Sequence, residues 1–198
     1  MTNEKMQELY HKNIDTKDRV IFFSPWQPSE EMIAEDKSWE VNDFSAQNLI
    51  KGLYILDKQK KAPITIIWNS FGGEWTAGMA IYDFIKKIKS PVTMECYGHV
   101  RSMGTIILQA CKKRHLSKHC EFMIHYGMAG MGMTHSKDFM ANAKIIDKAS
   151  DIMEDIYLKK IKEKNPKFTK ARLKDLMKYD KFLTVKQAIN LGLVDKII

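Results

Sequence analysis

Ser102 lies in Gly98-His99-Val100-Arg101-Ser102-Met103-Gly104, directly after the apolar run from Pro91 to Tyr97. The segment after it, Thr105 to Cys111, reads as a buried helix. A serine at such a strand-to-helix turn faces free backbone N–H groups, which stabilise the oxyanion formed when a hydroxyl attacks a carbonyl. Three more segments carry chemistry. Ile64-Thr65-Ile66-Ile67-Trp68-Asn69-Ser70 runs into Phe71-Gly72-Gly73, where glycines let the backbone approach a ligand and aim an N–H at it. His125 ends the apolar strand that starts at Phe122, and Asp180 stands in Tyr179-Asp180-Lys181-Phe182-Leu183-Thr184. Each has a plainer use on its own: a helix cap, a tight turn, a satisfied histidine, a solvated aspartate. Together they are the parts of nucleophilic acyl transfer. Ser102 would be the nucleophile, His125 the base, Asp180 its orienting carboxylate, and the N–H groups of Gly73 and Met103 the oxyanion donors.

The elements that must position these residues follow from periodicity and caps. Asn42 or Asp43 can cap a helix with Ala46, Leu49, Ile50, Leu53 and Leu56 on its apolar face. Pro63 closes the loop before the central strand. A helix follows Gly73, with Ala77, Ala80, Ile81, Phe84, Ile85 and Ile88 at helical spacing. Strand, turn and helix alternate through residue 125, which predicts an α/β fold with largely parallel strands and right-handed crossovers. Ligands in such folds bind beyond the carboxyl ends of strands, where Gly72-Gly73, Ser102 and His125 all fall. A long helix is predicted from residue 137 to about 164, capped by Ser136 and stopped by Asn165-Pro166. Its apolar stripe is Phe139, Ala143, Ile146, Ala149, Met153 and Ile156. Thr184 and Gln187 form a capping-box signature for the last helix, and Gly192 suits its end.

These stretches resemble the ClpP family, the proteolytic subunits of Clp proteases. The resemblance rests on Asn69-Ser70-Phe71-Gly72-Gly73, Thr76 to Asp83, Ser102-Met103-Gly104, Met123-Ile124-His125, Asp180 to Thr184 and Gly192 to Asp195. Gly73 precedes Ser102 by 29 positions, the interval such sequences show. The similarity runs from about residue 40 to 198. It implies a ClpP/crotonase-like spiral α/β fold with a protruding long-helix handle, in one domain over 1–198. A divergent N-terminal segment and polar loop would occupy 1–40, and the handle 134–164. It also implies a serine endopeptidase with Ser102, His125 and Asp180 as the triad and Gly73 and Met103 as the oxyanion hole. No cofactor is expected in the chain, and ATP would be used only by a partner. The expected partners are further copies of the chain in a heptameric ring, with two rings stacked as a tetradecamer in the family. A Clp-type AAA+ ATPase and polypeptide substrates complete the set.

Several positions depart from the family pattern. Phe71 stands where the family usually has Pro, and Val100 and Arg101 where it has small residues. Arg101 would favour acidic substrates or obstruct a large apolar side chain if it faced the cleft, and do neither if it faced solvent. Tyr126-Gly127 replaces a common Gln-Pro, and the Gly- and Met-rich run from Met128 to Met133 after it is expected to be mobile. Tyr179 replaces an arginine that couples the two rings. The axial-loop segment is not recognisable in Met1 to Met6, and the polar stretch Ser24 to Glu40 is longer than the family's turn. Two settings fit: a bacterial or plastid housekeeping peptidase, or a divergent, phage-encoded member. Two other functions also fit: a non-catalytic ring subunit, and a crotonase-type acyl-CoA enzyme on the same fold.

Composition narrows the classes. A chain of 198 residues is long enough for one sizeable core. It has neither an apolar signal segment nor an apolar run long enough to span a membrane, so a soluble cytoplasmic protein is expected. Cys96, Cys111 and Cys120 lack metal-ligand spacing and read as reduced, buried thiols. The net charge is +8, but the lysines are scattered and no nucleic-acid module accompanies them. No P-loop sequence is present either.

Overall fold

The computed structural model describes Met6, Leu9 and residues 12–23, 40–127 and 135–198, with the backbone alone at residues 136 and 139. The expectations for residues 1–5, 24–39 and 128–133 lie outside the described residues.

The sheet starts from β-branched sequence. Strand β4 (Ile64–Ser70) buries every second residue, Ile64, Ile66, Trp68 and Ser70, as a pleated strand must when one face meets a helix layer. Strand β2 (Val20–Phe22) and strand β6 (Val92–Arg101) flank it in parallel, and β1 (Ile14–Asp15) adds an antiparallel edge. Beyond β6 lie β7 (Lys113–Leu116) and then β10 (Lys196–Ile197), both parallel. The main sheet therefore runs β1-β2-β4-β6-β7-β10.

Strand β6 changes partner halfway, and that change creates the site. Its first half, Thr93 to Cys96, pairs with β7. Its last three residues, His99 to Arg101, pair with β8 (Glu121–Ile124), which pairs antiparallel with β9 (Lys181–Leu183). The register against β4 slips between these halves: Trp68 opposes Cys96, while Ser70 opposes Val100. Gly98, at φ 71°, forms the kink, and the Asn69 side chain accepts the His99 N–H there (2.9 Å). A Cβ on Gly98 would sit 2.7 Å from Asn69 Oδ1, so glycine is required on both counts.

Helix α1 (Asp43–Gln59) is capped by Asn42, not Asp43, in a reciprocal box with Ser45. It buries Ala46, Leu49, Leu53 and Leu56 as its spacing predicts, while Ile50 stays half-buried. Helix α2 (Trp75–Lys87) buries Ala77, Ile81 and Ile85, whereas Ala80 faces outward. Helix α3 (Met103–Leu108) is shorter than the predicted segment; Gln109 to Cys111 are buried but leave the helix in turns. Gly78 lets α2 press against α3: a Cβ there would meet the Met103 side chain at 2.2 Å.

The predicted long helix is α4 (Ser136–Lys164), with His135 in the N-cap position in place of Ser136. At 29 residues it is about 43 Å long. Among the described side chains, its second half meets the core, through Met153, Glu154, Tyr157 and Ile161. Along the predicted stripe Ala143, Ala149 and Ile156 are half-buried, Met153 is buried and Ile146 is exposed, while Met140, Ile145 and Ile152 beside it are exposed too. Phe139 falls among the undescribed side chains. The Asn165 amide donates to the carbonyls of Asn190 and Leu191, tying the end of α4 to the last helix.

Helix α5 (Lys170–Leu176), capped by Thr169, precedes β9. Helix α6 (Val185–Leu191) opens with the predicted Thr184–Gln187 box and closes at Gly192 in the left-handed region. The three cysteines are free and buried, as expected. Burial pushes the Cys111 and Cys120 thiols up to about 12, which keeps them protonated.

Candidate active site

Ser102 sits where β6 ends and α3 begins, with φ 48° and ψ −123°. A non-glycine residue rarely holds this conformation, which costs on the order of 1–3 kcal/mol, so the surroundings must fix it. They do so on both sides. The Ser102 N–H donates to the Met123 carbonyl (2.9 Å), extending the β6–β8 ladder by one bond. The Ser102 carbonyl accepts from the Thr105 N–H (3.0 Å) and the Thr105 hydroxyl (2.6 Å). Thr105 in turn accepts from the Tyr157 hydroxyl of α4 (2.5 Å), since its own proton goes to Ser102. Tyr157 is fully buried. Its role is invisible to sequence reasoning, because 52 positions separate it from Thr105.

His125 follows the last residue of β8 and bonds on both ring nitrogens. Its Nε2 lies 2.7 Å from Ser102 Oγ, and its Nδ1 lies 2.9 Å from Asp180 Oδ1. An ionised carboxylate only accepts, so Nδ1 carries the proton and Nε2 accepts from the serine hydroxyl. Asp180 stands just before β9, whose register against β8 sets Lys181 opposite Ile124. The Asp180 carboxylate remains 65% exposed.

The Gly72-Gly73 turn closes the other side. It is itself a short strand, β5, parallel to β3 (Glu40–Val41). The buried Ser70 hydroxyl accepts the Gly72 N–H (3.1 Å) and shapes the turn. A Cβ on Gly72 would lie 2.7 Å from Ser102 Cβ and 3.1 Å from Met103 N. A Cβ on Gly73 would lie 2.2 Å from the Val41 carbonyl oxygen, and both residues have positive φ. Gly72 thus brings the turn against the nucleophile and the first amide of α3, and Gly73 lets β3 pack against the turn. Of the residues singled out from the sequence, Ser102, His125 and Asp180 form one hydrogen-bonded chain, Met103 follows the nucleophile, and Gly73 follows Gly72, which lies against it. Among the described residues, one hollow lies between β2 and α1 and another between the end of α4, α5 and α6. Neither holds any of these residues.

The departures also find places. The Arg101 guanidinium points neither into an open cleft nor freely into solvent. It lies between the rings of Phe71 and Phe182 and pairs with Glu121. The Tyr126 hydroxyl donates to Glu154 (2.6 Å), a carboxylate on α4 that is 2% exposed and also faces Lys170 (3.1 Å) and Lys174 (3.6 Å). Burial, reinforced by the Glu154 carboxylate, raises the Tyr126 hydroxyl well above its ordinary value. Tyr179 is 76% exposed, with the Lys178 ammonium over its ring. Among the described residues there is no cluster able to hold a metal ion, and no helix is long and apolar enough to cross a membrane.

A hydrogen-bonded serine, histidine and aspartate at the strand ends of a parallel α/β sheet define the serine-hydrolase class. A family model described as Clp protease matches residues 31–198. The ATP-dependent Clp protease proteolytic subunit of Deinococcus radiodurans is 31% identical over 198 residues, covering 98% of this chain and 86% of that protein. The ATP-dependent Clp protease proteolytic subunit 2 of Prochlorococcus marinus strain MIT 9312 is 35% identical over 162 residues, covering 80% of this chain and 77% of that protein. Subunit 3 of Synechococcus strain CC9902 is 33% identical over 162 residues, with coverage of 80% and 78%. The chain belongs to the Clp protease family, as a divergent, ClpP-type serine protease. These matches do not favour the acyl-CoA reading.

Proposed function

We propose that the chain hydrolyses peptide bonds with Ser102 as nucleophile, His125 as general base and acid, and Asp180 as the group that orients the histidine. One observation carries this reading: His125 is hydrogen-bonded on one side to the serine hydroxyl and on the other to a carboxylate. His125 Nε2 takes the Ser102 proton as Oγ attacks the carbonyl carbon. The oxyanion settles against the N–H groups of Gly73 and Met103. The imidazolium, held by Asp180, then gives its proton to the leaving amine as the C–N bond breaks. Water, deprotonated by the same histidine, hydrolyses the acyl-enzyme and regenerates Ser102. No cofactor enters these steps.

The substrate is an extended polypeptide, aligned beside the site by backbone pairing. The subunit assembles with copies of itself into a heptameric ring, alone or stacked in pairs, that encloses the sites. It works with a Clp-type ATPase that supplies unfolded chains; the relatives above are named as ATP-dependent proteases. The exposed apolar face of α4, with Met140, Ile145, Ile146 and Ile152, supports self-association, since a lone subunit would leave it in water. The protein acts in the cytoplasm of a bacterium, or of the host if a phage encodes it.

Reaction with a fluorophosphonate probe tests the chemistry. Intact mass and peptide mapping should place one label at Ser102, lost in both Ser102→Ala and His125→Ala. Absence of label in the folded oligomer, with and without a Clp ATPase, would instead favour a non-catalytic ring subunit.

A further inference from the structure

Arg101 is mostly withdrawn from solvent. It is the last residue of β6, and its side chain is 22% exposed. Its guanidinium carbon lies 5.1 Å from the centre of the Phe71 ring and 5.4 Å from that of Phe182. Its Nη2 donates to the Glu121 carboxylate, which also lies 3.1 Å from His99 Nδ1. The His99 ring packs 4.2 Å from Phe71 and closes the cluster.

Each of these partners is joined to a different part of the site. Phe71 directly precedes Gly72-Gly73. Arg101 directly precedes Ser102. Glu121 begins β8, which delivers His125, and Phe182 lies two residues beyond Asp180. The registers put Arg101, Met123 and Phe182 in one row across β6, β8 and β9. At about 4.8 Å per strand the ends of that row lie roughly 10 Å apart, within reach of an extended arginine. The guanidinium therefore bridges over Met123, which is buried beneath it.

The segments so joined are weakly held by their ladders. β5 has two residues and β9 three, and β9 pairs only with β8 among the described strands. Asp180 itself has no described partner besides His125. We propose that Arg101 is a positioning residue: stacked between Phe71 and Phe182 and neutralised by Glu121, it sets the spacing between the oxyanion turn and the aspartate hairpin on either side of Ser102. Arginine suits this task because its flat cation stacks on both rings while its edge donates to a carboxylate. The inference rests on the peptidase reading above. It also excludes Arg101 as a recognition element for acidic substrates, since its charge is already matched.

The test compares wild type, Arg101→Ala, Arg101→Lys, Phe182→Ala, the Arg101→Ala/Phe182→Ala double variant and Glu121→Gln on a small uncharged peptide ester. Arg101→Ala should lower kcat about tenfold or more with KM within twofold, and Arg101→Lys should recover part of the loss. The double variant should be little worse than the poorer single variant, because both remove one contact. Glu121→Gln, at an exposed carboxylate that tolerates change, should lower kcat a fewfold and remains informative if Arg101→Ala does not fold. An Arg101→Ala enzyme with unchanged kcat would overturn the inference. So would a loss confined to KM and restricted to acidic peptides. If wild type itself takes no fluorophosphonate at Ser102, the peptidase reading falls and this inference with it; if wild type is labelled and Arg101→Ala is labelled as fast, only the inference falls.

Discussion

Replacing Asp180 by Asn tests the site where its geometry and its electrostatics point to different magnitudes. The Nδ1–H···Oδ1 contact of 2.9 Å has the geometry of an orienting carboxylate. In proteases where that aspartate is buried, the Asn replacement costs about 10⁴ in kcat. Here the Asp180 side chain is 65% exposed, so water already screens much of its attraction to the imidazolium. A hydrogen bond to a charged group contributes about 1.5–3 kcal/mol, and the neutral asparagine forfeits most of it. The expected loss is therefore about 10- to 100-fold, or about 1.4–2.8 kcal/mol of barrier. Ester hydrolysis and the second-order rate of fluorophosphonate labelling should fall together, because both need the same proton transfer. The melting temperature should hardly move, since the side chain packs against little. A loss below threefold would mean that Asp180 does not orient His125. A loss near 10⁴ would refute the screening argument and mean that assembly covers the carboxylate.

Other perturbations follow from the same contacts. Gly73→Ala would drive a Cβ to 2.2 Å from a backbone oxygen that cannot rotate away, so β3 and β5 must part and the oxyanion amide must shift; labelling of the folded variant should fall about 10²–10³-fold. Tyr157→Phe removes the donor behind Thr105, and with it the support of the strained Ser102 carbonyl. It should cost about 1–2 kcal/mol in denaturant unfolding and slow labelling, while Tyr157→Leu should cost more through the lost ring. Burial works to raise the Asp57 carboxyl, but the Lys61 ammonium and the amide and hydroxyl of Ser90 outweigh it and hold it near 2, against 3.8 unperturbed. Its stabilisation, at most about 2 kcal/mol, is complete above about pH 5, declines below 3.8 and is gone below about 2. Asp57→Asn should therefore flatten the acid limb of the stability curve, as read from urea midpoints between pH 2 and 6.

Much of the scaffold was legible in the sequence because the signals are local, whereas the candidate site residues were singled out by residue type and by the family resemblance. The alternation of β4, the helical spacing of α1 and α2, the Asn42–Ser45 and Thr184–Gln187 boxes and the Gly192 cap all involve residues within four positions of one another. Such contacts form in nearly any context, so residue order alone predicts them. The cap of α4 falls at His135, one residue before the Ser136 that the residue order suggests, and how far the core covers the helix depends on what lies outside it, which periodicity within it does not encode.

What only the tertiary structure decided is what residues far apart in the chain do to one another. The sequence left Arg101 with two opposed readings, and its fate turned on Glu121, Phe71 and Phe182, which come from three other segments. The strained φ of Ser102, the Tyr157–Thr105 support, the pairing of Val41 with Gly73 and the switch of β6 from β7 to β8 are likewise products of packing. None has a local signature, because each joins groups that meet only once the sheet has formed. The chain order therefore determined which residue types were available for acyl transfer, and the fold determined their distances, their screening and the contacts that hold them in place.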